Sequence, residues 1–252
     1  MIRTKTDSEI ERMRVSGRLA AEVLDTVCGS ASPGSTTAEL DAYAAELIAE
    51  RGGESCFLGY RGFPGNICVS VNDEIVHGIP GPRRIEMGDI ISIDCGVRYD
   101  GYIGDTAKTV MVGVQDPEVI RLVRVTEAAL AAALEKAVAG ARLSDVSHAV
   151  EHVATEAGFT VVREFVGHGV GKDLHEEPQI PNYGPPGRGP RLKKGMTLAI
   201  EPMINMGVAE VDLMEDGWTV LTRDRKPSAH FEHTVVVQED HAEILTCLKK
   251  KR

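Results

Sequence analysis

From Ile10 onward the chain places apolar or small residues at Met13, Gly17, Ala20 and Leu24, the spacing of one helix face, and Thr6-x-x-Glu9 supplies a capping box just before them. The pattern predicts an amphipathic helix to about Val27. Pro33-Gly34 marks a turn, and Thr36-x-x-Glu39 opens a second helix that stops near Gly52-Gly53. Strand-like segments follow, including Ile67 to Val71 and Ile90 to Ile93, and the stretch closes around Val112. From Asp116 the plan restarts. An Ala-rich helix is expected to about Ala139 and another from Leu143 to Ala157 before Gly158, with strands through most of the remainder.

Shifting the chain by about 106 residues lays Gly34 on Gly140, Glu39 on Asp145, Leu47 on Val153 and Gly52 on Gly158. At an offset of 107, Gly88-Asp-Ile-Ile-Ser-Ile-Asp94 falls on Gly195-Met-Thr-Leu-Ala-Ile-Glu201. Both segments are aliphatic strands led in by glycine and ended by a carboxylate. Gly104-Asp105-Thr106 and Phe231-Glu232-His233 likewise each precede a Val-rich strand. The expectation is an α+β fold: a single domain, 1–252, built of two related halves, 1–112 and 113–252. Pseudo-two-fold symmetry would bring Asp94 to Glu201 and Asp105 to Glu232.

Composition narrows the function. The chain has 252 residues, 42% of them apolar, which is ordinary globular material. A net charge of −10 argues against nucleic acid as the main partner. The longest apolar run, Ala128 to Leu134, is far short of the ~18 residues of a membrane span, and the charged start is no secretory leader, so a cytoplasmic protein is expected. Five scattered cysteines without a C-x-x-C pair read as reduced thiols, not as a zinc site.

Strand alternation puts Ile91, Ile93 and Cys95 on one face and Ser92 with Asp94 on the other; Leu198 and Ile200 oppose Thr197, Ala199 and Glu201. Four converging carboxylates would stay partly protonated unless something positive sat among them. Two divalent cations would cancel their charge. Oxygen-rich ligation with one or two histidines suits Mn, Fe or Co better than a closed zinc site. Two histidines sit beside glycine, His168 in Gly167-His-Gly169 and His77 in Val76-His-Gly-Ile-Pro80, and His175 follows seven residues after His168.

His77-Gly-Ile-Pro, Asp94 with Asp105 eleven residues on, Gly167-His-Gly-Val-Gly, His175-Glu-Glu-Pro, Ile200-Glu-Pro-Met and Phe231-Glu-His-Thr together resemble methionine aminopeptidase, type I, over nearly the whole chain. The short Glu201–Glu232 interval and the absence of a Cys/His-rich extension resemble the bacterial form. The resemblance implies the duplicated "pita-bread" fold, an antiparallel sheet backed by helices. It implies two divalent ions (Co, Mn, Fe or Zn) held by Asp94, Asp105, His168, Glu201 and Glu232, the second and the last bridging. Glu201 would also help deprotonate the attacking water. His175 would stabilise the tetrahedral intermediate, and His77 would contact the scissile amide. Phe57, Tyr60, Phe63, Cys68 and Trp218 would line the methionine pocket. Leu174 stands where an aromatic is common and Phe57 where a small residue occurs, which bears on pocket shape. A monovalent cation near Asn72 and Ser228 is also implied. The implied reaction is removal of the N-terminal methionine of nascent polypeptides with a small second residue, by a monomer. The rivals are a proline-directed aminopeptidase of the same fold and a non-catalytic binding homologue.

Three features are set aside. His148-Ala-Val-Glu-His152 fits another zinc-peptidase pattern, but both histidines fall opposite the apolar stripe of their helix. Cys95 shares the packed face of its strand. The basic run Lys249–Arg252 reads as a solvated tail, with contact to a ribosome surface as the functional alternative.

Overall fold

The computed structural model describes residues 2–248, so the basic run Lys249–Arg252 lies outside the described residues. Helix α1 (Asp7–Ser30) and α2 (Thr37–Glu50) begin on capping boxes, Thr6 with Glu9 and Thr36 with Glu39, as the sequence predicts. β1 (Glu54–Ser55), β2 (Cys68–Val71), β3 (Glu74–Val76), β4 (Ile90–Tyr99) and β5 (Tyr102–Met111) follow. The chain then forms α3 (Pro117–Lys136) and α4 (Leu143–Glu156). α3 ends three residues early, because the Ala139 N–H is taken by the carbonyl of Gln238.

The remaining strands are β6 (Thr160–Val161), β7 (Gly167–Gly169), β8 (Glu176–Ile180), β9 (Thr197–Ile200), β10 (Met203–Asn205), β11 (Val211–Leu213), β12 (Val220–Thr222), β13 (Ser228–His230), β14 (His233–Val237) and β15 (Ala242–Ile244). Every ladder among the described residues is antiparallel. β4 pairs β1, β2 and β5; β15-β14-β9-β7-β8 form a five-stranded sheet, with β13-β10-β6 and β11-β12-β3 beside them. This is the α+β architecture expected.

The packed faces fall where strand alternation puts them. Ile91, Ile93 and Cys95 join α1 and α2 in one apolar cluster; Leu198 and Ile200 join α3 and α4 in another. A third cluster, with Phe57, Phe63, Cys68, Leu174 and Ala199, lies on the opposite faces, where the acids are. Local detail repeats along the chain. Gly34 and Gly140 both turn at positive φ, 94° and 91°, where a side chain would be strained. Each donates to the carbonyl of a matched residue, Ile85 and Leu192, at 2.8 and 2.9 Å.

Helix α1 lies directly on β5. A Cβ on Gly104 would collide with the backbone of Gly17, and one on Gly17 would come within 2.7 Å of the Leu245 carbonyl oxygen. Two bare backbones therefore touch one residue before Asp105.

Candidate metal centre and substrate pocket

Asp94 and Asp105 come from the middle of the β4–β5 hairpin, where Asp94 faces Ala107 and Asp105 faces Gly96 across the ladder. Glu201 follows β9 and Glu232 precedes β14, whose first partners are Ile200 and His233. β5 and β14 are stitched together at the acids. The Asp105 N–H donates to Thr234 Oγ1 at 3.0 Å, and that hydroxyl donates to the Asp105 carbonyl at 2.8 Å. The Glu232 N–H donates to the Ala107 carbonyl, and Thr106 Oγ1 to that of Glu232, both at 2.9 Å.

Asp105, His168 and Glu232 each offer a ligand atom within 4.8 Å of the others, the one such group among the described residues. Glu201 Oε1 stands 3.4 Å from His168 Nε2. Asp105 Oδ1, Asp94 Oδ1 and Glu232 Oε1 are buried without a hydrogen-bond partner. Burial pushes Asp105 up to about 7 and Asp94, Glu201 and Glu232 well above the carboxylate range. Like charge adds to burial: Asp94 is the leading charged neighbour of Glu201, and Asp105 that of Glu232. Orphaned anionic oxygens of this kind, beside a histidine, fit a divalent cation.

His168 sits on β7, whose glycines are there for space and not for positive φ. A Cβ on Gly167 would come within 2.5 Å of the Ala199 carbonyl oxygen. His168 Nδ1 donates to the Gly169 carbonyl at 2.9 Å, which leaves the Nε2 lone pair facing the acids. Its pKa is held down to about 3, by burial first and by His175 second. The His175 ring lies 4.3 Å from that of His168, and Tyr60 Oη pairs with His175 Nδ1 at 2.8 Å. The backbone at His77 is unusual. The histidine itself takes positive φ, 59°, while Gly78 packs against the Val69 backbone. Strain of that kind gathers at functional sites. Its ring stands edge-on to Phe165 at 5.3 Å and Trp218 at 6.1 Å, and burial lowers its pKa to about 4.

The histidines and acids share a cavity of about 260 Å³ with Phe57, Tyr60, Phe63, Cys68 and Trp218. That volume is below the ~300–1,000 Å³ of a drug-sized ligand site, so it encloses about one residue. Phe63 and Trp218 meet edge-to-face at 5.1 Å. Burial pushes the Cys68 thiol up. Asn72 and Ser228 also meet, the Ser228 N–H donating to the Asn72 carbonyl at 2.9 Å. Sequence reasoning missed Arg61, Phe165, Met203 and His230, which line the same cavity. Only the Glu232 motif two residues on pointed toward His230. His148 and His152 are exposed and Cys95 is buried, as expected.

The sequence pattern of metallopeptidase family M24 matches residues 11–239. Methionine aminopeptidase 1 of Bacillus subtilis is 51% identical over 246 residues, covering 98% of this chain and 99% of that one. Methionine aminopeptidase of Clostridium perfringens is 46% identical over 249 residues, 99% and 100% of the two chains. The crystal structure of methionine aminopeptidase from Thermotoga maritima superposes with a TM-score of 0.97 at 46% identity, covering 98% of this chain and all of that one. Prolidase from Pyrococcus furiosus shares the fold alone, with a TM-score of 0.80 at 23% identity over 66% of its own length.

Proposed function

The chain belongs to metallopeptidase family M24, and with that as premise we infer that its site removes the N-terminal methionine from polypeptides by metal-dependent amide hydrolysis. The observation that carries this reading is the set of orphaned buried carboxylate oxygens in a cavity that four histidines share with aromatic side chains. Asp94, Asp105, His168, Glu201 and Glu232 would hold two divalent ions, Co, Mn, Fe or Zn. Bound there, the ions lower the pKa of water and polarise the amide carbonyl.

The remaining chemistry falls to the chain's own residues. Phe57, Tyr60, Phe63, Cys68 and Trp218 enclose the methionine side chain, and aromatic edges and a thiol pack well on a thioether. Glu201 takes the proton of the attacking water. His175, oriented by Tyr60, donates to the oxygen that gains charge, and His77 contacts the scissile amide nitrogen. A small second residue suits a cavity sized for one side chain.

The chain is one catalytic domain of two halves, 1–112 and 113–252, supported by the hydrogen bonds that repeat at the turn glycines. It acts as a cytoplasmic monomer. A monovalent cation sits near Asn72 and Ser228, and the basic run Lys249–Arg252 touches the ribosome surface. No described helix is long and apolar enough to cross a membrane.

The deciding experiment is hydrolysis of Met-Ala-Ser after chelation, with Mn, Co, Fe and Zn restored one at a time and an Xaa-Pro peptide alongside. Methionine release that returns with metal supports the reading. Preference for Xaa-Pro, or no release with any metal, overturns it.

A further inference from the structure

Among the described residues, the fourth buried side-chain atom without a partner is not a carboxylate oxygen but His230 Nε2. It faces Glu201 Oε2 at 3.8 Å, while His168 Nε2 faces the other oxygen of the same carboxylate at 3.4 Å. Among the described residues, neither Glu201 oxygen accepts a hydrogen bond, so nothing in the protein latches the rotation of this carboxylate. His168 cannot, because its one proton sits on Nδ1, bound to the Gly169 carbonyl.

The backbone of His230 is fixed. It lies on β13, opposite Met203, two residues after Glu201. Its N–H donates to Thr109 Oγ1 at 2.9 Å, and that hydroxyl donates back to its carbonyl at 2.8 Å. Thr109 Oγ1 also pairs with Ser92 Oγ at 2.8 Å, and Ser92 precedes Asp94 by two residues. His230 is therefore tied to the strands that carry the two aspartates. Its ring, 2% exposed, has little room to turn elsewhere.

We propose that His230 is a positioning residue for Glu201: it carries its proton on Nε2 and donates it to Glu201 Oε2, holding the carboxylate with Oε1 toward His168. This rests on the role given to Glu201 above. A bare lone pair on Nε2 would repel the Glu201 oxygen that faces it, whereas an N–H attracts it. The 3.8 Å gap is longer than a hydrogen bond and closes with a small ring rotation or one bridging water. The two histidines beside Glu201 thus hold opposite tautomers, one offering a lone pair and the other a proton.

Two readouts test this. In the zinc-loaded protein, nitrogen NMR of the imidazoles reports which nitrogen of His230 is protonated. A proton on Nε2 is expected, and one on Nδ1 overturns the proposal. In steady-state kinetics on Met-Ala-Ser, His230→Ala lowers kcat by ~10–100-fold, the usual effect of losing a partner that orients a ligand, with KM within about twofold. His230→Gln keeps an N–H donor and restores most of kcat. Equal loss in both variants, or none in His230→Ala, refutes positioning. Melting curves of the two variants exclude unfolding as the cause. A wild-type protein that fails to cleave the peptide sinks the function itself, a result distinct from each of these.

Discussion

Two pairs of strands carry the four acids, and they are built differently. β4 and β5 run ten residues each and join in a tight hairpin, so Asp94 and Asp105 sit inside an unbroken ladder. β9 and β14 run four and five residues, and Glu201 and Glu232 stand just beyond the end of their pairing. Between those two glutamates the chain leaves to make β10 to β13. That excursion supplies Met203, Trp218 and His230 to the cavity. The first pair gives rigidity and the second gives up rigidity to build a pocket. Both kinds of acid are also tied across β5 and β14: the Asp105 N–H donates to Thr234 Oγ1, and Thr106 Oγ1 donates to the Glu232 carbonyl.

The largest effect should come from removing an acid in either pair. Asp105→Asn and Glu232→Gln should each lower activity by more than ~100-fold, beyond the loss typical of an outer partner, while circular dichroism shows an intact metal-free fold. Retained activity in one of them would show that one strand pair serves the reaction alone. Metal should also stabilise both pairs together. Ions that bind only the folded state add about 2.7 kcal/mol at a hundredfold excess over the dissociation constant. At ~2–4 °C per kcal/mol for a chain of this size, Mn or Co should raise Tm by ~5–10 °C. Mg, which keeps its water, should do less. Asp94→Asn with Glu201→Gln should raise the metal-free Tm and remove most of that response.

The stitch between the pairs can be cut directly. Thr234→Val strands the buried Asp105 N–H, at a cost of about 1–3 kcal/mol, and should lower Tm by several degrees. An unchanged Tm would mean the ladder alone fixes Asp105. The pH dependence should be smaller but diagnostic. Burial raises Asp105 from 3.8 to about 7, so the folded metal-free protein binds a proton that the unfolded chain has released. Its contribution is therefore full below pH 3.8 and lost as pH rises toward 7. Metal-free Tm of the wild type, measured relative to Asp105→Asn, should fall across that window and level off above it. Finally, His148→Ala with His152→Ala should change neither activity nor metal content, since both rings are exposed on α4.

Much of this was legible in the residues. The capping boxes at Thr6 and Thr36 placed two helix starts, and strand alternation placed Asp94 and Glu201 on the face away from the helices. These are local signals, each written within a few residues. The motifs then named the family. His230 was not legible, because its meaning depends on a carboxylate brought to it by β10 and β13 and on the tautomer that Gly169 imposes on His168. The positive φ of His77 was missed for a related reason. It depends on Gly78 packing against the Val69 backbone, a contact between segments that no local pattern announces.

The contact of Gly17 with Gly104 bears on mutational tolerance. Gly17 is on a helix, touches no substrate, and would ordinarily be the place where alanine improves a helix. Here a single methyl would come within 2.7 Å of the Leu245 carbonyl oxygen and force apart the backbones around the turn of α1 that lies on Gly104, one residue from Asp105. In a library of variants sorted by methionine release, Gly17 should therefore be as intolerant as the acids themselves. A geneticist reading that library without coordinates would count it among the residues of the active site.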